Sequence, residues 1–578
     1  MRHSGSLRAG WRVRRAVLAC VGILSLGVAA CDTADAANRP ELPKQGGVLR
    51  LILGTKVENL DPQKIAAATD ANISRLFTRT LTTFRSEPGA KASEIVGDLA
   101  TDTGRPTEGN QVWDFTLKKD VKWQDGTPIT CAQVKYGVER NFSSLFTTGL
   151  QYPRQLLQDN ATPYEGPFKG DNNNKRGMES VQCVDAKSIR FRLKQPVGDF
   201  GYAAALSVFA PVPLDKDADK AAYNRKPFSS GPYKIVESTD AKIVLDRNPY
   251  WSQGSDAVRH AYPDQILITV NDNGPAVSYA LIQDQGDAQN SVQLDLDVAS
   301  NFVQQVVNDT DLSKRLITGS HTGVRYLAIN TRRITNVKCR QALEYAANKR
   351  KFRSAMGGST FGELASTAVS PSLRSHKDFD LYETKQKPEG DRDKARQLWT
   401  DPANKCPARI SIAFPQVRKR LMQVIAESFN LAGIETDLKP VDPTKINYFS
   451  DAIGRPSNQY DVMWAGWIAD WANGSAVLPP QFDGNNIPKG EDANGNQNFA
   501  LLNVPEINSA ISEAMAESNL EQQYRLWGEL DEQIMKQAPI IPLLYMTSQR
   551  LVGSNVRGAF IHPQFGAPDV CALGLAKP

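Results

Sequence analysis

One carboxylate, Asp470, stands among three tryptophans, Trp464, Trp467 and Trp471, in the run Asp461 to Gly474, DVMWAGWIADWANG. An ionised carboxylate is costly in apolar surroundings unless a cation or several donors compensate, the desolvation amounting to several kcal/mol. No cation accompanies it in the run. The missing partner fits a ligand's ammonium. A second reading has Asp470 turn or cap the chain after a strand, with the tryptophans as core. The segment by itself leaves both open.

Other chemistry finds no support. HExxH, GxSxG and P-loop patterns are absent, and no spacing of Ser, His and acid nominates a triad. Beyond the N-terminal segment the histidines are His260, His321, His376 and His562, none paired at helical spacing. No metal centre, cofactor or enzymatic activity is expected. Asp492 to Asn496 faintly resembles a calcium loop, but Gln497 replaces the turn glycine and Asn503 the bidentate acid, so no calcium site is expected there.

Asp470 must be positioned by the elements around it. Val462 to Ala465 is an apolar run too short for a helix and reads as a strand. Upstream, Arg409 to Phe414 reads as strand, Arg418 to Ala432 as a helix stopped by Gly433, and Ile434 to Leu438 as strand. Strands at Ile266 to Val270 and Val324 to Ile329 alternate with helices near Ala276 to Gln283 and Val337 to Lys349. This alternation predicts an α/β layer architecture. Nearer the N-terminus, Val48 to Leu53 is a strand, Asn72 to Phe84 a helical face, Trp113 to Leu117 and Val121 to Trp123 short strands, and Thr130 with Gln133 a capping box. Tyr233 onward is expected to pair with Lys242 to Asp246. Asn141 to Gly177, with its run Asp171 to Asn174, reads as a solvated insertion. Helices at about Pro505 to Ser518 and Leu520 to Gln537 precede the strand Ile540 to Met546.

The chain has 578 residues, too many for one hydrophobic core, so two or three domains are expected. Lys and Arg number 68 against 63 Asp and Glu. The excess is Arg2, Arg8, Arg12, Arg14 and Arg15; without them the balance is even, which removes a charge argument for nucleic-acid binding. Those arginines precede an uncharged run from Ala16 to Ala30, in the order of a secretory signal. The run ends in Val28-Ala29-Ala30-Cys31, which resembles the lipobox of bacterial lipoproteins, with Cys31 the lipidated residue. Asp32 to Gln45 then reads as a tether. Outside the cytoplasm disulfides are permitted. Proximity along the chain suggests Cys131 with Cys183 and Cys339 with Cys406, leaving Cys571 single, although spacing does not establish connectivity.

Several segments together resemble the extracytoplasmic solute-binding proteins of the peptide and nickel family that serve ABC importers. They are GGVLRL with NLDP, WDFTLKKDVKWQDGTPITCAQVKYGVER, SSGPYKIV with VLDRNPYW, and RYLAINTRRITNVKCRQALEYAANKR. The resemblance runs from about Gly46 to Met546. It implies a two-lobed, type II periplasmic-binding-protein-like α/β fold with an extra subdomain in the first lobe. The lobes would be residues 46–320, with the insertion at about 85–225, then 321–539, and a return to the first lobe over 540–578. Oligopeptide binders of the family place an aspartate after a G-W-x-x run to pair with the peptide's α-ammonium, and Gly466, Trp467 and Asp470 match it. By the same resemblance Ala465 to Trp467 would offer one strand edge to an extended peptide, and Ala66, Ala67, Ala68 and Thr69 the other, where some relatives carry an acid that is absent here. Trp467 and Trp471 would flank a side-chain pocket or pack in the core. The implied protein is a monomer, lipid-anchored on the outer face of the cytoplasmic membrane. It would deliver oligopeptides to permease subunits driven by cytoplasmic ATPases. A non-peptide solute such as a metal chelate, sugar or antibiotic, or a peptide pheromone, are the alternative ligands.

Overall fold

The computed structural model describes residues 42–170, 177–442, 444–490 and 496–578. The signal over 1–30, Cys31, most of the tether, the run Asp171 to Asn174 and most of the calcium-loop candidate lie outside the described residues. Among the described residues no helix is long and apolar enough to cross a membrane.

A five-stranded sheet forms first. Val48–Leu53 lies between Gln265–Val270 and Ser291–Gln293 and is parallel to both; Lys242–Arg247 and Tyr233–Ser238 extend the sheet antiparallel. Val48–Leu53 buries Leu49, Leu51 and Leu53 on one face, the period of two that a half-buried strand requires. The C-terminal residues Val552, Val556, Val570, Leu573 and Leu575 pack into the same core.

A four-stranded antiparallel sheet, Arg105–Thr107, Val112–Thr116, Ser188–Arg192 and Val181–Cys183, falls inside the range read as the insertion. Beside it runs the helix Cys131–Arg140, opened by the Thr130–Gln133 capping box. Disulfides join Cys131 to Cys183 and Cys339 to Cys406, and Cys571 is a buried free thiol.

The six-stranded sheet carries the Asp470 segment. Its order is Gly362–Leu364, Ile540–Leu551, Leu316–Ile329, Val462–Trp467, Arg409–Pro415, Glu435–Val441. The helix Lys419–Leu431 covers it with Leu421, Met422, Ile425, Ala426 and Phe429, a spacing that keeps one helical face apolar. Gly433, at φ +85°, supplies the left-handed residue that ends that helix.

Two long antiparallel strands, Leu316–Ile329 and Ile540–Leu551, link the sheets. Along Val324–Ala328 and Ile540–Tyr545 they pair inside the six-stranded sheet; along Leu316–Ser320 and Thr547–Leu551 they run toward the five-stranded one, where Val552 bridges Val292. Their register breaks between Ser320 and Val324, and this irregularity lies beside the site.

Several local expectations differ from the structure: the stretch read as a solvated insertion buries Phe142, Phe146, Tyr152, Leu157 and Tyr164, Val121 to Trp123 forms only the Lys122–Pro128 bridge, and two helices are redrawn. The expected helix over Asn72 to Phe84 is only Ala68–Ser74, followed by turns and the strand Thr82–Phe84. Ile73, Leu76, Phe77 and Leu81 are all buried, so the apolar spacing marked burial rather than helix. Buried ion pairs of Arg75 with Asp569 and Arg79 with Asp98, together with β-branched Thr78, Thr80, Thr82 and Thr83, favour the irregular path. The expected helix Val337 to Lys349 ends at Ala346, because the Asn348 side chain accepts the Lys351 N–H and starts a second helix, Lys349–Met356.

Candidate functional site: a carboxylate at an interlobe cavity

The Val462–Trp467 strand exits into Ile468, Ala469 and Asp470. Ala469 is held on both sides of its backbone: its N–H donates to Thr322 Oγ1 at 3.2 Å, and its carbonyl accepts from Gln564 Nε2 at 2.6 Å. Thr322 sits in the register break of the linking strands, so the crossover geometry fixes where Asp470 stands.

The half-buried Asp470 accepts a hydrogen bond from the Tyr152 hydroxyl at 2.5 Å. No Lys, Arg or His lies within ion-pairing distance of it among the described residues. Burial pushes its carboxyl up to about 6, and the Tyr152 bond offsets only part of that. The Tyr152 phenol is itself raised well above its ordinary range, by burial and then by the Asp470 charge, so it is a donor at physiological pH.

Asp470 borders a cavity of about 320 Å³ together with Ile65, Ala66, Ala67, Ala68, Phe84, Leu150, Ile468 and Phe565. Arg75 and Arg259 also line it, but each is matched: Arg75 with Asp569 at 3.0 Å, Arg259 with Asp98 at 2.9 Å and Asp256 at 3.1 Å. The cavity therefore has walls of apolar residues interspersed with neutral Ser, Thr and Gln side chains, neutralised cations and one carboxylate without a counter-ion. Such a site suits a cationic group carried on an apolar or uncharged body.

The residues expected at the site fall into three sets. Asp470, Ala66, Ala67 and Ala68 meet at the cavity; Thr69 does not line it. Trp467 and Trp471 also stay away from it. Trp471 is 3% exposed, and its indole N–H donates to Asp199 at 3.0 Å and to Ser475 at 2.8 Å. Trp467 donates to the Ala476 carbonyl at 2.7 Å and packs on the core. Ala465 and Gly466 lie in the sheet, opposite Tyr326 and Arg325. On the other side of this strand, Arg409–Pro415 pairs with Val462 and Met463 only. Trp464 to Trp467 thus has no strand neighbour there, and the Trp464 carbonyl is taken by the Tyr448 hydroxyl at 2.9 Å.

Two participants escaped sequence reasoning. Tyr152 lies 318 positions from Asp470, within the loop-rich stretch after the capped helix. Asp199 is a buried carboxylate that accepts from Trp471, from Asn473 at 2.8 Å and from Ser475, pinning the turn after Asp470. Neither position belongs to a local pattern that would have marked it.

Two α/β bodies joined by a strand pair, with a cavity at their junction, define the two-lobed architecture of periplasmic solute-binding proteins. Residues 94–489 match the family described as bacterial extracellular solute-binding proteins, family 5 Middle, and the chain belongs to that family. Its role is solute binding rather than catalysis. The chain is 23% identical over 525 residues to the periplasmic oligopeptide-binding protein OppA of Escherichia coli K12, covering 87% of this chain and 88% of the relative. It is 24% identical over 574 residues to heme-binding protein A of Haemophilus influenzae, covering 94% and 96%. The solved structure of clavulanic acid biosynthesis oligopeptide binding protein 2 superposes with a TM-score of 0.86 at 29% identity, covering 93% of this chain and 97% of that one.

Proposed function

We propose that the chain captures oligopeptides between its lobes and delivers them to the permease subunits of an ABC importer. The observation that carries this reading is Asp470, a carboxylate lacking a cation at an otherwise neutralised cavity. A peptide α-ammonium supplies the missing charge, and desolvation on closure strengthens the pair. The strand edge after Trp464, whose carbonyl Tyr448 already occupies, has no strand neighbour and offers main-chain hydrogen bonds, which are the same for every peptide sequence. The relatives named as oligopeptide binders support the same ligand class. In this reading residues 46–320 and 540–578 build one lobe and 321–539 the other. Cys31 carries the lipid that holds a monomer at the outer face of the membrane.

A second reading, a non-peptide solute, is favoured by the mainly apolar cavity lining and by the heme-binding relative. Mass spectrometry of small molecules released by denaturing the purified protein separates the two. A ladder of short peptides, with melting temperature falling once they are stripped, supports the first. A single non-peptide compound overturns it.

A further inference from the structure

The insertion is fastened on two sides by bonds of different strength. On the side of the first lobe, buried ion pairs hold it: Asp98 with Arg79 at 2.6 Å and with Arg259 at 2.9 Å, and Arg140 with Asp61 at 2.6 Å. On the side of residues 321–539 no ion pair joins the described residues of the two parts, and every donor is neutral. The Gly198 N–H donates to the Met515 carbonyl at 2.8 Å, Asn110 Nδ2 donates to the Ala516 carbonyl at 2.9 Å, and the Tyr202 and Tyr524 hydroxyls meet at 3.2 Å. Breaking a buried ion pair costs more than breaking a neutral hydrogen bond, so the second side is the one that can separate.

Gly198 and Asp199 form the centre of that second side. A Cβ at position 198 would lie 1.8 Å from the Glu517 carbonyl oxygen, so glycine is what permits the contact. Asp199 is only 2% exposed. Its Oδ2 accepts from Trp471 Nε1 at 3.0 Å, from Asn473 Nδ2 at 2.8 Å and from Ser475 Oγ, three donors of the turn that follows Asp470. Its Oδ1 is buried with no hydrogen-bond partner from another residue among those described, and no cation pairs with the carboxylate there. The contact thus takes both oxygens out of water and satisfies one. Desolvation of the other opposes the contact that the three donors favour.

We propose that Gly198 and Asp199 form a releasable latch between the insertion and the second lobe: it shuts the cleft over the Asp470 cavity, and the unmatched Asp199 oxygen keeps the closed form from persisting without ligand. Opening returns both carboxylate oxygens to water. A ligand held by Asp470, one residue before Trp471, adds the contacts that tip the balance to the closed form. This regulates the site of the peptide reading and rests on its lobe boundaries, but not on the identity of the ligand.

The two residues should move the equilibrium in opposite directions, which small-angle X-ray scattering and hydrogen exchange on the ligand-stripped protein can read. Asp199→Asn keeps an acceptor for the three donors and removes the charge. Its radius of gyration should be smaller than that of the stripped parent, and the Gly198 amide should exchange about tenfold more slowly. Gly198→Leu drives a side chain into the Glu517 carbonyl and should enlarge the radius; if that variant does not fold, Gly198→Ala, the smaller wedge, takes its place. An Asp199→Asn radius equal to or above the parent's overturns the latch, as does a folded Gly198 variant no larger than the parent. A melting temperature lowered in Asp199→Asn without a change in radius marks the residue as merely structural and overturns it too. None of these outcomes involves a ligand, so the peptide reading stands or falls separately, on the small molecules released by denaturation.

Discussion

The Tyr152 hydroxyl donates to Asp470 Oδ2 at 2.5 Å across 318 residues of sequence. The bond orients the carboxylate and stabilises its ionised form without neutralising it, leaving a net charge for a ligand cation. Tyr152→Phe should therefore raise the Asp470 pKa further and weaken binding of a cationic ligand by about 1.5–3 kcal/mol, the range for a hydrogen bond to a charged group. Calorimetric titration at several pH values checks both effects. An unchanged pH profile would show that the phenol does not tune Asp470.

Asp470→Asn removes the charge and keeps the shape. Peptide binding should fall by about 2–5 kcal/mol, as for truncating one side of a buried hydrogen-bonded ion pair. A variant that binds peptide as tightly as the parent would falsify the ammonium assignment.

Affinity should depend on pH with a midpoint set by Asp470. Its pKa is raised to about 6, so the empty site is largely ionised at pH 7 and progressively protonated below 6. Because an ammonium pairs only with the ionised form, affinity falls by about tenfold per pH unit once pH is well below 6, and binding near pH 6 releases protons. The linked effect on stability has the opposite sign. The native state holds this proton more tightly than the unfolded chain, so the ligand-free protein loses stability as pH rises from about 4 to about 6. Thermal unfolding of ligand-free Asp470→Asn over that range should lack this component.

Asp199 has a different role. Burial raises its pKa, yet it accepts hydrogen bonds from Trp471, Asn473 and Ser475 and ties the chain near residue 199 to the turn after Asp470. Asp199→Ala leaves the Ser475 hydroxyl and one Asn473 amide N–H short of an acceptor, while Trp471 keeps Ser475, and should cost about 2–4 kcal/mol in denaturant unfolding. Because the turn is released, ligand affinity should fall as well. A variant of parental stability would show that other groups can satisfy those donors.

Much of the frame was legible locally. Leu49, Leu51 and Leu53 carry the period of a strand, Leu421 to Phe429 that of a helix, and Thr130 with Gln133 the capping box; each forms within a residue or two of its expected place. The helix expected over Asn72 to Phe84 did not form as such. Its apolar spacing reports burial, and the backbone there is set by ion pairs to Asp98, 19 residues on from Arg79, and to Asp569, 494 residues on from Arg75.

The sequence by itself determined that Asp470 is a carboxylate in an apolar, cation-free segment at the end of a strand, and through its motifs placed the chain in a two-lobed class. Local patterns carry this much because strand period, capping and solvation preference act over a few residues. Only the tertiary structure decided which neighbours meet it: Tyr152 at the carboxylate, Ala66 to Ala68 across the cavity, Asp199 beneath Trp471, and Arg325 laid over Trp464 beside Gly466. Those contacts join side chains tens to hundreds of residues apart. Whether a charge is matched or left for a ligand depends on which groups folding brings within a few ångströms of it.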